Sequence, residues 1–584
     1  MRPLAPLLLL LSLPLAAQER GPVRDAAGYV PAGAGPVRAT SSELRETLER
    51  FTADENALLR RYPAEWSSAR RAALAGFYHG WQGRLAALDF ARLSQEGKVD
   101  YLLLRQALGH RAELLTLEEA RLAEIAPLLP FGAAIRALDE ARERVDSVDG
   151  AAAAATFTAI ARQADSARAA LAALDSAARP SRVVAFRAAR AVESHRALLR
   201  TWTGHYGGYD PLTGWWTRAP AARADTALTK YAAFLRETLV GQAPGADEPI
   251  VGDPLGRAAL ERDIAFELIP YTPEELIAIG ERELAWCTRE MIAAARAMGL
   301  GDDWHAALER VKQDHVGPGE QPLLVRRLAD EAADWVSSRR LVTVPPLARD
   351  LWRLTMLSPE AQKANPFFLG GEVIQVAYPT DAMDDADKRM TMRGNNVHFA
   401  RATVHHELIP GHHLQGFVGE RSNPQRGAFS TPFYTEGWAV YWEMLMYERG
   451  FPRSPEDRVG MLFWRMHRAA RIIFSLKVHL GQMTPEEAIT FLVDQVGHER
   501  ANATAEVRRS FRGDYPPLYQ AGYMLGALQL RALHQEVVGA GKMTELQFHD
   551  AVLAAHQMPI ELLRALLTGR ELTRGYGARW RFGG

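Results

Sequence analysis

The sequence predicts a mainly α fold with one small β-sheet. Three observations carry this. Residues 41–200 are rich in Ala, Arg, Leu and Glu and poor in strand formers, and runs such as Ala151–Ala155 read as long packed helices. Later periodic stretches open with Pro in a first turn or stop at Gly, as at Pro273, Pro432 and Gly450. The best strand signals are Leu341–Pro346 and Gly370–Pro379, where apolar and branched residues lie between breakers.

In chain order, residues 1–17 read as a signal peptide: Met1-Arg2, an apolar run from Leu4 to Leu15, then Ala16-Ala17. The run is too short to span a bilayer, so the expected location is periplasmic or secreted. Cleavage after Ala17 exposes Gln18 rather than a cysteine, so no lipid anchor is expected. Residues 18–40, dense in Gly and Pro, read as a flexible entry segment. Residues 41–250 form an N-terminal helical region whose first cap falls near Ser41-Ser42-Glu43. Within it, residues 201–225, with Trp202, Tyr206, Trp215 and Trp216, read as a loop on the helical body. Residues 243–258 are a turn-rich break.

The remainder, 251–584, is the candidate metal-binding region, continuous with the first as one unit. Thr272-Pro273 opens a helix running through Arg296. Residues 380–395, with Asp381, Asp384, Asp385 and Asp387, read as a solvated loop, because their spacing does not match a calcium-binding EF-hand. From Arg453 to Glu499 the pattern is helical again.

Composition narrows the function classes. The chain has 584 residues, 47% of them apolar, enough for a large interior. Its 69 basic and 70 acidic residues balance, so no long-range field favours nucleic acid or an anionic membrane. There is no zinc-finger, phosphate-loop or dinucleotide fingerprint, and no later stretch reads as a membrane span. The single Cys287 cannot form an intramolecular disulfide.

One stretch stands apart. His405-His406-Glu407-Leu408-Ile409-Pro410-Gly411-His412-His413 holds four of the chain's 17 histidines beside a glutamate. Neutral imidazole binds zinc well, and a nearby carboxylate can act as general base. The usual zinc helix is His-Glu-x-x-His, but here Pro410 stands four residues after His406. On a straight helix His406 and His413 would lie about 10.5 Å apart along the axis. Pro410 and Gly411 therefore predict a break that brings a later imidazole back. The reading favours His406 with His412 as ligands and keeps His413 as the alternative. Glu436, among aromatic and aliphatic neighbours, is the best third ligand, and Glu443, two turns on, is weaker. Gly437 leaves room for another helix to approach closely. Asn396 and His398 could orient substrate or a ligand, or serve the fold.

His406-Glu407-Leu408-Ile409-Pro410-Gly411-His412-His413-Leu414-Gln415, followed by Tyr434-Thr435-Glu436-Gly437-Trp438-Ala439, resembles the DUF885 family of bacterial proteins. The likeness covers most of the chain after the leader and is sharpest from about Phe367 to Leu533. That family is similar to the gluzincin metallopeptidases, whose third zinc ligand is a glutamate on a later helix. The resemblance implies a large helical, zincin-like architecture with its small sheet near the active site, where an edge strand could pair with substrate backbone. It also implies an exported zinc peptidase acting on short or unfolded peptides. Zn²⁺ would be held by His406, His412 and Glu436, with Glu407 as general base. His405 and His413 would orient ligands. Related zincins place a phenol near the metal, which makes Tyr523 the second candidate catalytic residue and Tyr519 the next. Where several family members carry Pro-Gly-Gln-Ala, this chain has Pro517-Leu518-Tyr519-Gln520-Ala521. Arg508 and Arg509 could hold a peptide carboxylate, although an ion pair with Glu506 is the favoured reading. The alternatives are a metal-binding protein without catalysis and a metal-dependent esterase or amidase.

Overall fold

The computed structural model describes Tyr29 and residues 42–583, apart from 247, 363, 364, 366 and 514. The expected signal peptide, and the entry segment except Tyr29, lie outside the described residues. Among the described residues the chain forms 23 α-helices and one three-stranded sheet.

Capping chemistry sets many helix starts. Thr272, Thr484 and Thr544 each form a reciprocal box with the Glu or Gln three residues on. The helix expected from Thr272-Pro273 runs Pro273–Ala297. Residues 201–225 are not a loop: helices Arg182–Gly207 and Pro211–Phe234 meet at a short turn. Asp210 accepts hydrogen bonds from the Leu212 and Thr213 amides and starts the second helix at once. Trp202 and Tyr206, one turn apart, are buried, whereas Trp215 is 70% exposed. The acidic stretch 380–395 is likewise largely helical: Asp384 caps the Asp385–Gly394 helix by accepting from the Asp387 amide at 2.8 Å.

The sheet is smaller than the sequence suggests. Leu341–Pro346 forms no strand. Side chains take its backbone groups, with His549 on the Leu341 carbonyl and Asp550 on the Thr343 amide, and Pro346 opens a short helix. The strands are β1 (Arg353–Met356), β2 (Phe368–Leu369) and β3 (Val373–Val376). Their order is β1-β3-β2, β1 running parallel to β3 and β2 antiparallel to it, with Phe368 opposite Val376. The Gly370–Pro379 signal thus becomes the central strand, and the short β2 is the edge that borders the cavity described below.

One apolar core joins Leu44 to Leu108 with residues from Leu260 to Phe582, and a second gathers Ile125 to Leu235. Within the first, the Pro455–His479 helix is buried along nearly all its length. The Pro432–Glu448 and Tyr519–His534 helices cross backbone to backbone. A Cβ on Gly437 would lie 2.7 Å from the Gly526 backbone, so neither glycine has room for a side chain. No described helix is long and apolar enough to cross a membrane.

Candidate metal centre

The Val397–Glu407 helix carries His406 and Glu407 on its last turn, capped at its start by Asn396. The helix ends there and a new one, His412–Ser422, begins after a four-residue reversal containing a cis Ile409–Pro410 peptide. The Gly411 amide bonds the His405 carbonyl at 3.0 Å, and the Trp438 indole N–H holds the Pro410 carbonyl at 2.8 Å. A Cβ on Gly411 would overlap the His405 and His406 carbonyls, so glycine is required for so tight a return.

The reversal turns His412 towards His406. Their rings lie 4.8 Å apart at nearly a right angle. Both converge on Glu436, from the crossing helix: its Oε2 is 3.6 Å from His406 Nε2 and 3.1 Å from His412 Nε2. A tetrahedral ion with bonds of about 2.0–2.1 Å separates its ligands by roughly 3.4 Å, and these two distances bracket that spacing. Donor atoms of His406, Glu407 and His412 also lie within 4.8 Å of one another. Two imidazoles and two carboxylates therefore share the site, a donor set able to hold a divalent metal ion.

The two carboxylates differ in their surroundings. Burial pushes the Glu407 carboxyl above its ordinary value, against the pull of His406 and His412. Burial also opposes the charge on Glu436, but His412 and His406 overcome it and hold that carboxyl well below the usual range. Burial works against a proton on His406, yet its hydrogen bonds with Glu436 and Glu443 raise it to about 9. That proton offsets the carboxylates, and a divalent cation held there would displace it.

Glu443 stands behind the centre. Its Oε1 accepts from His406 Nδ1 at 2.6 Å, which leaves Nε2 facing Glu436. Arg468 in turn reaches Glu443 at 3.2 Å. His405 and His413 make their hydrogen bonds to backbone carbonyls: His405 Nδ1 meets the Arg401 carbonyl at 2.8 Å, and His413 Nε2 meets the Ala348 carbonyl at 2.6 Å. His398 lies between Asp457 and Asp314, an ion-pair role in the fold.

Tyr519 and Tyr523 line, with His406, Glu407, His412 and Glu436, a cavity of about 370 Å³. The Tyr519 hydroxyl donates to Glu436 Oε1. Tyr523 stacks parallel to the His406 ring at 6.2 Å and lies beneath the Arg471 guanidinium at 4.2 Å. Burial, then Glu436, pushes its phenol up to about 12. Gly370, beside β2, also lines the cavity, and a Cβ there would collide with the Glu407 side chain. Glu506 pairs with Arg471 through two bonds, at 2.6 and 2.9 Å, rather than with Arg508 or Arg509. Sequence reading passed over Arg468 and Arg471. The available signal was three arginines, at 465, 468 and 471, spaced every three residues within the mainly apolar middle of the Pro455–His479 helix.

The family model described as "Bacterial protein of unknown function (DUF885)" matches residues 52–567, and the chain belongs to that family. Among solved structures the chain resembles a candidate lipoprotein of unknown function from Shewanella oneidensis, with a TM-score of 0.66 and 17% identity, over 89% of this chain and 98% of that one. It also resembles a candidate lipoprotein from Colwellia psychrerythraea, with a TM-score of 0.57 and 16% identity, over 90% and 97% of the two chains. Among curated proteins, none matches the chain.

Proposed function

We propose that this DUF885 member is an exported zinc-dependent peptidase that hydrolyses short or unfolded peptides. The observation that carries the reading is the meeting of His406 Nε2 and His412 Nε2 on Glu436 Oε2, with Glu407 beside them in a cavity. His406, His412 and Glu436 would hold the ion. Zn²⁺ bound there supplies Lewis acidity to water and to a carbonyl oxygen. Glu436, the carboxylate that stays ionised, suits a ligand. Glu407, raised by burial, suits a base that takes a proton from water and returns it to the leaving amine. Water adds across the C–N bond, giving a carboxylate and an amine. Tyr523 would donate to the developing oxyanion, and Tyr519 would steady Glu436. The edge strand β2 offers backbone groups for an extended substrate. Export is supported by the leader at 1–17 and by the naming of the similar structures as candidate lipoproteins.

The test is a peptide-library digest by protein purified with its metal content measured. Expected are about one zinc per chain and cleavage that chelation removes and zinc restores. Glu407→Gln should keep the zinc and lose turnover. Full activity in that variant rejects the base. Bound zinc with no cleavage of any peptide would favour a metal-binding role, or an esterase or amidase activity to be sought with other substrates.

A further inference from the structure

Three arginines line the cavity of the candidate centre: Arg468, Arg471 and Arg509. Their commitments differ. Arg468 is bound to Glu443. Arg471 gives Nε and Nη2 to Glu506, but its Nη1 is buried and has no hydrogen-bond partner among the described residues. Arg509 makes no hydrogen bond or ion pair among the described residues. Its guanidinium packs 4.8 Å from the Tyr515 ring, and its buried Nε has no partner. Arg508, its neighbour in sequence, instead bonds the Glu248 carbonyl and lines a different cavity.

Arg509 is connected to the metal ligands through the cavity wall. Tyr515 packs on Tyr519 at 4.2 Å, and the Tyr519 hydroxyl bonds Glu436. Arg509 is partly buried, and its buried Nε without an acceptor is costly; a carboxylate answers a guanidinium with two parallel bonds. The two incompletely satisfied guanidiniums also repel one another, which an anion between them would relieve.

We propose that Arg509, supported by Arg471 Nη1, is the group of this cavity that recognises a substrate carboxylate. The carboxylate is a free peptide C-terminus or an acidic side chain close to the scissile bond. A C-terminus would make the enzyme one that removes residues from peptide ends. The inference rests on reading the centre as a peptidase, and it adds a specificity-determining residue to it.

Three probes separate the sources: N-acetyl-Ala-Ala-Phe, its C-terminal amide, and the amide of N-acetyl-Ala-Glu-Phe. Binding is measured by calorimetry on full-length, zinc-loaded protein carrying Glu407→Gln, and hydrolysis on the wild type. A charge-assisted pair predicts that the free acid binds roughly ten- to a hundredfold more tightly than its amide. Adding Arg509→Ala should erase that ratio and leave amide binding unchanged. Arg509→Lys should recover part of it, and Arg508→Ala should leave it intact, with thermal melts verifying that each variant is folded. If the Glu-containing amide alone shows the Arg509-dependent gain, the recognised carboxylate is a side chain and the proposal holds. If Arg509→Ala weakens all three probes equally or none, or no probe binds, the proposal is overturned. Should the wild type cleave nothing while the Arg509-dependent preference is present, the peptidase reading falls and the carboxylate site stands. Cleavage blind to carboxylates and to Arg509 gives the converse.

Discussion

Replacing Glu443 by Gln tests the centre without touching any proposed ligand. Glu443 is buried, with Oε1 2.6 Å from His406 Nδ1 and 3.2 Å from Arg468 Nη2. As a carboxylate it holds the proton on Nδ1 and so presents the Nε2 lone pair to an ion. The amide of Gln can still accept from Nδ1, but it brings no charge. Losing such a carboxylate behind a ligand typically costs ten- to a hundredfold in metal affinity, about 1.4–2.7 kcal/mol. The same change leaves the buried Arg468 without its anion. Breaking a buried pair this way costs up to about 3–5 kcal/mol of fold stability. The two effects separate by assay. Zinc affinity comes from competition with a fluorescent chelator, and apo stability from urea unfolding. The expected result is weaker zinc binding by one to two powers of ten, with a lower urea midpoint. A folded Glu443→Gln protein holding zinc as tightly as the wild type would refute the argument that His406 offers Nε2 with Glu443 behind it.

Other outcomes are equally open to measurement. Gly437→Ala places a methyl group 2.7 Å from the Gly526 backbone, so it should destabilise the protein by about 1–3 kcal/mol in denaturant unfolding and reduce zinc affinity by moving Glu436. Wild-type values for both would show that the crossing has slack. Glu436→Gln removes a proposed ligand, and its zinc affinity should fall further than that of Glu443→Gln; the reverse order would exchange their assigned roles. His498 is buried and held at about 3, chiefly by burial, against about 6.5 unfolded. A lowered imidazole is neutral in the fold, so its contribution is complete above pH 6.5 and lost as acid protonates the unfolded chain. Wild type minus His498→Gln stability should therefore decline by up to about 1.4 kcal/mol per unit below pH 6.5. A flat difference between pH 6.5 and 4.5 would contradict this.

Much of the site could be read along the chain because its signals are local. Pro410-Gly411 announces a reversal by its own backbone limits, and Glu436 stands out as a carboxylate in an apolar helix. Gly437 marks a close approach, which the crossing helix at Gly526 supplies. The failures also have local causes. Glycines and aromatics at 201–225 suggest a loop, yet Trp202 and Tyr206 share the buried face of the Arg182–Gly207 helix and Asp210 starts the next helix at once. Leu341–Pro346 has strand composition, but His549 and Asp550, side chains of one distant helix, take two of its backbone groups.

The amino-acid order by itself determined the helical class, the broken histidine helix and the residue types able to hold an ion, since these follow from backbone sterics and side-chain chemistry within a few residues. Only the tertiary structure decided that His412 turns to Glu436 while His413 reaches Ala348, that Glu443 and Arg468 stand behind His406, and that Arg471 takes Glu506. Those choices join residues from different helices, and an ion pair or a ligand angle exists only once packing has set the distance between them.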